Sequence, residues 1–214
     1  MGKASVILLI ALLAIPPVFV IGCGSKADIH EAAESGDMVT VIKLLDRGEA
    51  VDKKDSGGNT PLINALIGYG FFLSKRGTPH GESDEVKQKA DCKNIAMMLI
   101  RKGADVNARN DNGVTPLHRA VEVDDIELFE MLLSAPGADI NALGMDGGTP
   151  LHSAALEAEV NMVKFLLDNG ADVNARNEDG ETSLAVIEEW VAEWGEEEDD
   201  AAVIRMLRAA GGTR

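Results

Sequence analysis

Histidine, cysteine and carboxylate side chains could carry chemistry in this chain, and their spacing decides whether they do. The histidines are His30, His80, His118 and His152, and two of them, His118 and His152, close copies of the tetrapeptide Thr-Pro-Leu-His. A column of stacked histidines can be mistaken for a metal site. His80 has no nearby cysteine or second histidine to make a ligand set. Residues 188–200 hold eight carboxylates and no basic residue, without the Asp-x-Asn-x-Asp-Gly spacing of a calcium loop. There is no Gly-x-Ser-x-Gly elbow, phosphate-cradling glycine loop or His-Glu-x-x-His helix. The expectation is no enzyme, no metal, no cofactor and no small-molecule substrate.

The elements that hold these residues repeat. Thr149-Pro150-Leu151-His152 is followed by Ala154-Ala155, Leu166-Leu167 and Gly170-Ala171-Asp172-Val173-Asn174, and Thr182 follows Thr149 by 33 residues. A fixed period in the 30s points to stacked helical units rather than a single core. Threonine suits the helix N-cap and proline the first helical position. The alanine pairs allow close helix approach, the leucine pairs fill space between units, and Gly48, Gly103 and Gly170 end second helices.

This pattern resembles the ankyrin repeat. The resemblance implies an all-α ankyrin-repeat solenoid of about five helix-turn-helix repeats with short β-hairpin connections, a binding scaffold without chemistry of its own. It also implies that His30, His118 and His152 bond to backbone of the neighbouring repeat. The domain spans 27–214, with repeats at about 27–59, 60–114, 115–148, 149–181 and 182–214. His30, Ala32-Ala33 and Leu44-Leu45 place an N-terminal cap in the first. Thr60 precedes Thr115 by 55 residues, so the second carries an insertion, expected as a loop near 70–88 because Gly77, Pro79 and Gly81 fall there. A lengthened second helix then starts near Ser83 and ends near Arg101. The fifth is a C-terminal cap whose acidic insertion reads as a solvated loop.

The start of the chain is different. Lys3 precedes an apolar stretch over 4–20 that contains Pro16-Pro17, too short and too broken for a spanning helix. Val6 stands where an N-myristoylation signal needs Ser or Thr. A secretory signal fits better. Val20-Ile21-Gly22-Cys23 resembles a bacterial lipobox, which implies removal of 1–22 and acylation of Cys23 as the first residue of a short linker, 23–26. Attached to a membrane by several acyl chains, the protein would face the periplasm, and Gly24 leans toward the outer membrane. An uncleaved anchor is the other reading. Cys92 would remain as the single thiol, either a small buried residue on a helix or a redox-active one.

With 36 Asp plus Glu against 20 Lys plus Arg, the chain disfavours nucleic acid and favours a basic protein partner. In ankyrin proteins partners usually bind the concave surface of hairpin tips and first helices. Lys54, Arg109, Leu143 and Arg176 share one tip position, and Leu143 with Met145 makes an apolar tip that solubility does not explain. Tyr69, Phe71 and Phe72 ahead of the insertion, and Trp190 and Trp194 in the fifth repeat, are aromatics outside the repeat pattern. Aromatics concentrate binding energy and also build local cores. The function expected is a membrane-anchored, monomeric protein-binding module, an inhibitor, immunity protein or protective partner of an envelope protein; alternatively it is a passive envelope scaffold.

Overall fold

A Thr-Pro pair ahead of an apolar run starts a helix, because proline enters with φ preset and has no N–H to leave unpaired. The computed structural model describes residues 28–74, 82–123, 125–195 and 197–214. In it, helices begin at Pro61, Pro116 and Pro150. Among the described residues five helix pairs follow in order: α1 Ile29–Glu34 and α2 Met38–Asp46, α3 Pro61–Ser74 and α4 Glu82–Arg101, α5 Pro116–Glu122 and α6 Ile126–Leu133, α7 Pro150–Leu156 and α8 Val160–Asp168, α9 Ser183–Trp194 and α10 Glu198–Ala209. The first helices α1, α3, α5, α7 and α9 pack in sequence. Leu62, Leu66, Leu117, Leu151, Ala154 and Leu184 from that row meet Ile95, Leu128, Leu132, Met162 and Leu166 from the second helices in one continuous buried cluster. Phe129 and Phe165 meet edge to face at 5.8 Å across two repeats. The expected helical solenoid is present. Its hairpin connections are hydrogen-bonded turns, with no strand among the described residues. Each tip has one main-chain bond between its arms, such as Asn110 N–H to Val114 O at 3.1 Å, and one inside the turn, such as Gly113 N–H to Asn110 O at 2.9 Å, too few for a ladder.

The threonines divide by what stands three residues on. Where that residue is not histidine, the hydroxyl caps the helix: Thr60 accepts from Ile63 N–H and Thr182 from Ala185 N–H. Where it is histidine, Thr115 and Thr149 turn to the ring, at 2.8 and 2.9 Å from Nδ1 of His118 and His152. Simple backbone capping is therefore corrected for Thr115, while Thr149 forms a capping box with His152. Thr149 N–H also donates to His152 Nδ1 at 3.1 Å, so the ring proton sits on Nε2, which donates to Glu181 O at 3.1 Å. His118 Nε2 reaches Gly148 O at the same distance. Both bonds join a first helix to the residue just ahead of the next first helix's N-cap, Thr149 or Thr182. Burial holds both rings neutral, with His118 lowered to about 4. His30 is buried too, but neither of its ring nitrogens has a partner among the described residues.

The insertion expected as a loop over 70–88 is helical wherever it is described. α3 continues to Ser74 and α4 begins at Glu82, with 75–81, and so His80, outside the described residues. Gly70 is a contact and not a breaker: a β-carbon there would lie 3.1 Å from Val123. At Gly68 it would overlap the Glu34 carbonyl at 1.9 Å, so glycine lets α3 cross the end of α1. Cys92 Sγ donates to the same carbonyl at 3.3 Å. Its thiol is buried and pushed up to about 12, chiefly by that burial. The acidic run of the last repeat is likewise not a loop throughout. α9 reaches Trp194, Gly195 turns the chain at φ 93°, and Glu198, Asp199 and Asp200 form the first turn of α10, where carboxylates complement the helix dipole.

Candidate protein-binding surface

The tips are where the repeats differ, and backbone chemistry explains how. In most tips an Asp or Asn clamps the turn by accepting main-chain donors. Asp55 takes Gly57 N–H and Asn59 N–H at 2.8 and 2.9 Å; Asn110 takes Asn112 N–H and Val114 N–H at 3.0 and 2.9 Å; Asn177 takes Glu181 N–H at 2.8 Å. The equivalent residue of the third tip is Gly144. No side chain fits there, since a β-carbon would stand 2.5 Å from His118 Nε2. Without its clamp, this tip tightens into a 3-10 turn over Met145–Gly147, with Asp146 at φ 54°. Asp and Asn tolerate that left-handed region better than most residues. The turn leaves Met145 55% exposed.

The aligned basic row is committed to the stack. Lys54 Nζ donates to Arg109 O at 2.8 Å, and Arg109 Nη2 to Gly144 O at 3.4 Å, each reaching the next tip. Arg176 donates to the Gly180 carbonyl and, through Nη2 at 3.4 Å, to Arg214 O. Leu143 breaks the row, cannot make such a link, and is 48% exposed. Tips three and four meet through main chain, Glu178 N–H to Asp146 O at 2.8 Å, and below them Asp172 N–H donates to Asn141 Oδ1 at 2.9 Å.

Leu143 and Met145 line different hollows. Leu143 lines a hollow of about 450 Å³ with Asn107, Arg109, Gly137, Asp139 and Ala142. Met145 lines another, of about 230 Å³, between the tips and the first helices, floored by His118 and His152 and walled by Leu156, Val186 and Glu122. Sequence reasoning missed Leu156, Val186 and Asp146. Val186 shares its slot, four residues after the threonine, with Arg119 and Ser153, so aligning that slot would have exposed it.

Tyr69 belongs to the interior, which corrects its place among partner contacts. It is 6% exposed, and its hydroxyl donates to Asp125 Oδ2 at 2.6 Å. Lys93 Nζ lies 2.8 Å from the same carboxylate and 2.7 Å from Glu127. Burial works against Asp125, yet the Lys93, Tyr69 and Leu128 hydrogen bonds hold its carboxyl below the usual range. This group ties the lengthened second repeat to the third. The side chains of Phe71 and Phe72, and all of Cys23, lie outside the described residues. Trp190 and Trp194 stack at 5.7 Å, with Trp194 55% exposed. Among the described residues no group of three or more His, Cys, Asp or Glu is placed to hold a metal ion, and no helix is long and apolar enough to cross a membrane.

A helix pair per repeat, histidines bonded across the repeat junction and turned tips together specify one architecture. Residues 87–177 match the family model of ankyrin repeats, in 3 copies. The chain carries ankyrin repeats. Inversin of Gallus gallus is 30% identical over 102 residues, 47% of this chain and 7% of that protein. The neurogenic locus notch homolog protein 1 of Xenopus laevis is 32% identical over 141 residues, 65% of this chain and 6% of that one. The potassium channel AKT2/3 of Arabidopsis thaliana is 30% identical over 112 residues, 48% of this chain and 14% of that one. The chain thus spans from 6% to 14% of the length of these relatives. Ankyrin repeats indicate a protein–protein interaction module.

Proposed function

We propose that this chain is a lipid-anchored envelope protein that holds a protein partner on the face formed by its tips and first helices. The observation that carries the binding reading is the hollow beside Met145, where an unclamped tip presents an exposed apolar side chain next to Leu156 and Val186. The leader supports anchoring: a basic start, an apolar run and Val20-Ile21-Gly22-Cys23 ahead of the first repeat. The bound partner is then either inhibited or protected at the membrane surface.

A photo-reactive residue at Met145, expressed in cells, tests the first part. One saturable cross-linked partner is expected. Cross-linking to many unrelated proteins, or to none, refutes it. For the anchor, Cys23→Ser should abolish labelling by a fatty-acid analogue, and unchanged labelling refutes acylation there.

A further inference from the structure

The hollow beside Met145 has an apolar centre with a carboxylate at each end, the one at the helix end shared with Arg119. At the tip end Asp146 is exposed and makes no ion pair among the described residues. At the helix end Glu122 closes the wall, its carboxylate held by Arg119 Nη1 at 3.0 and 2.7 Å. Glu157 follows Leu156 directly. No Lys or Arg lines the hollow, because the basic tip residues are turned to backbone carbonyls. The floor adds no charge near neutral pH, since burial keeps His118 and His152 deprotonated.

We propose that the partner presents a short segment in which an apolar side chain is flanked by basic ones, seated with the apolar group between Met145, Leu156 and Val186 and the basic groups against Asp146 and the Glu122–Glu157 pair. This rests on the reading of the same face as the binding surface. Apolar contact supplies the anchor, while opposite charges at the rim select the partner and speed encounter. Glu157 supports the sign of the charge sought. Burial, then the carboxylates of Glu122 on α5 and Glu159 at the start of α8, push its carboxyl up to about 7, against the opposing Arg119 of α5. A carboxylate held at a half-buried site beside others of its kind is favoured by an incoming cation, and the pair should bind more weakly once Glu157 takes up a proton.

The test uses the full-length chain and fluorescein-labelled model peptides of alternating Arg and Leu, Glu and Leu, or Arg and Ser, with anisotropy as the readout. The Arg-Leu peptide should bind roughly tenfold tighter than either control. Met145→Ser and Asp146→Asn should each weaken it by about threefold or more with unchanged circular dichroism; asparagine keeps the left-handed turn accessible. Lowering the pH from about 8 to about 6 should weaken binding to the parent more than to Glu157→Gln. Equal binding of the Glu-Leu peptide, or no effect of either variant, overturns the proposal. A natural partner cross-linked at Met145 through a segment lacking Lys and Arg also overturns it, yet leaves the binding surface standing. Failure to cross-link any partner there removes the surface itself.

Discussion

Glu157→Gln should make this protein more stable at alkaline pH, because burial, and then neighbouring carboxylates, disfavour the wild-type carboxylate. Burial comes first among the causes, with Glu122 and Glu159 next, and the carboxyl is pushed up to about 7. An acid whose folded pKa exceeds its unfolded value of about 4.3 binds its proton more readily when folded. Its carboxylate form therefore subtracts stability, fully above about pH 7 and hardly at all below the unfolded value. At ~1.4 kcal/mol per pH unit, a gap of about 2.7 units sets the ceiling at about 4 kcal/mol. Glu157 is partly open to solvent, so screening reduces the expected gain from glutamine to about 1–2 kcal/mol. Urea unfolding of parent and variant at pH 8 and pH 5 measures it. Every other titrating group is common to the two proteins and cancels. The midpoint of the variant should be higher at pH 8, and the difference should shrink to about a third at pH 5. A gain of the same size at both pH values, or a loss at pH 8, would refute the account of Glu157.

The neighbouring Ala158 has φ 56°, a region that glycine enters freely. Ala158→Gly should therefore raise stability by about 0.5–1 kcal/mol in thermal unfolding; destabilisation would show that the backbone there is unstrained. Gly144→Ala should cost about 2 kcal/mol or more, because its methyl group meets the His118 ring. The penalty should be smaller when measured in a His118→Ala background, and an undiminished penalty would place the clash elsewhere. In a Cys23→Ser background, Cys92 should react with an aromatic disulfide reagent only after denaturant is added, since burial holds its thiol up at about 12. Reaction within seconds in the native state would contradict its burial.

Much of this molecule is written locally. Thr-Pro-Leu followed by paired alanines and leucines sets where first helices start and which faces are apolar, because capping, the fixed φ of proline and helical spacing act within a few residues. The period alone indicates stacking, and the motif slot of His118 and His152 gives their cross-repeat bonds. Other features depend on atoms distant in the chain. Gly68 and Gly70 look like breakers until Glu34 and Val123 come close enough to require them. Tyr69 looks like an exposed aromatic until Asp125 and Lys93 enclose its hydroxyl. Lys54 and Arg109 look like a contact row until their carbonyl partners appear on the next tips. Leu143 and Met145 stand two residues apart, but the turn through Asp146 sends them to separate hollows. Short-range rules set the helices. Which side chains remain for a partner is decided only when the repeats stack and satisfy the others.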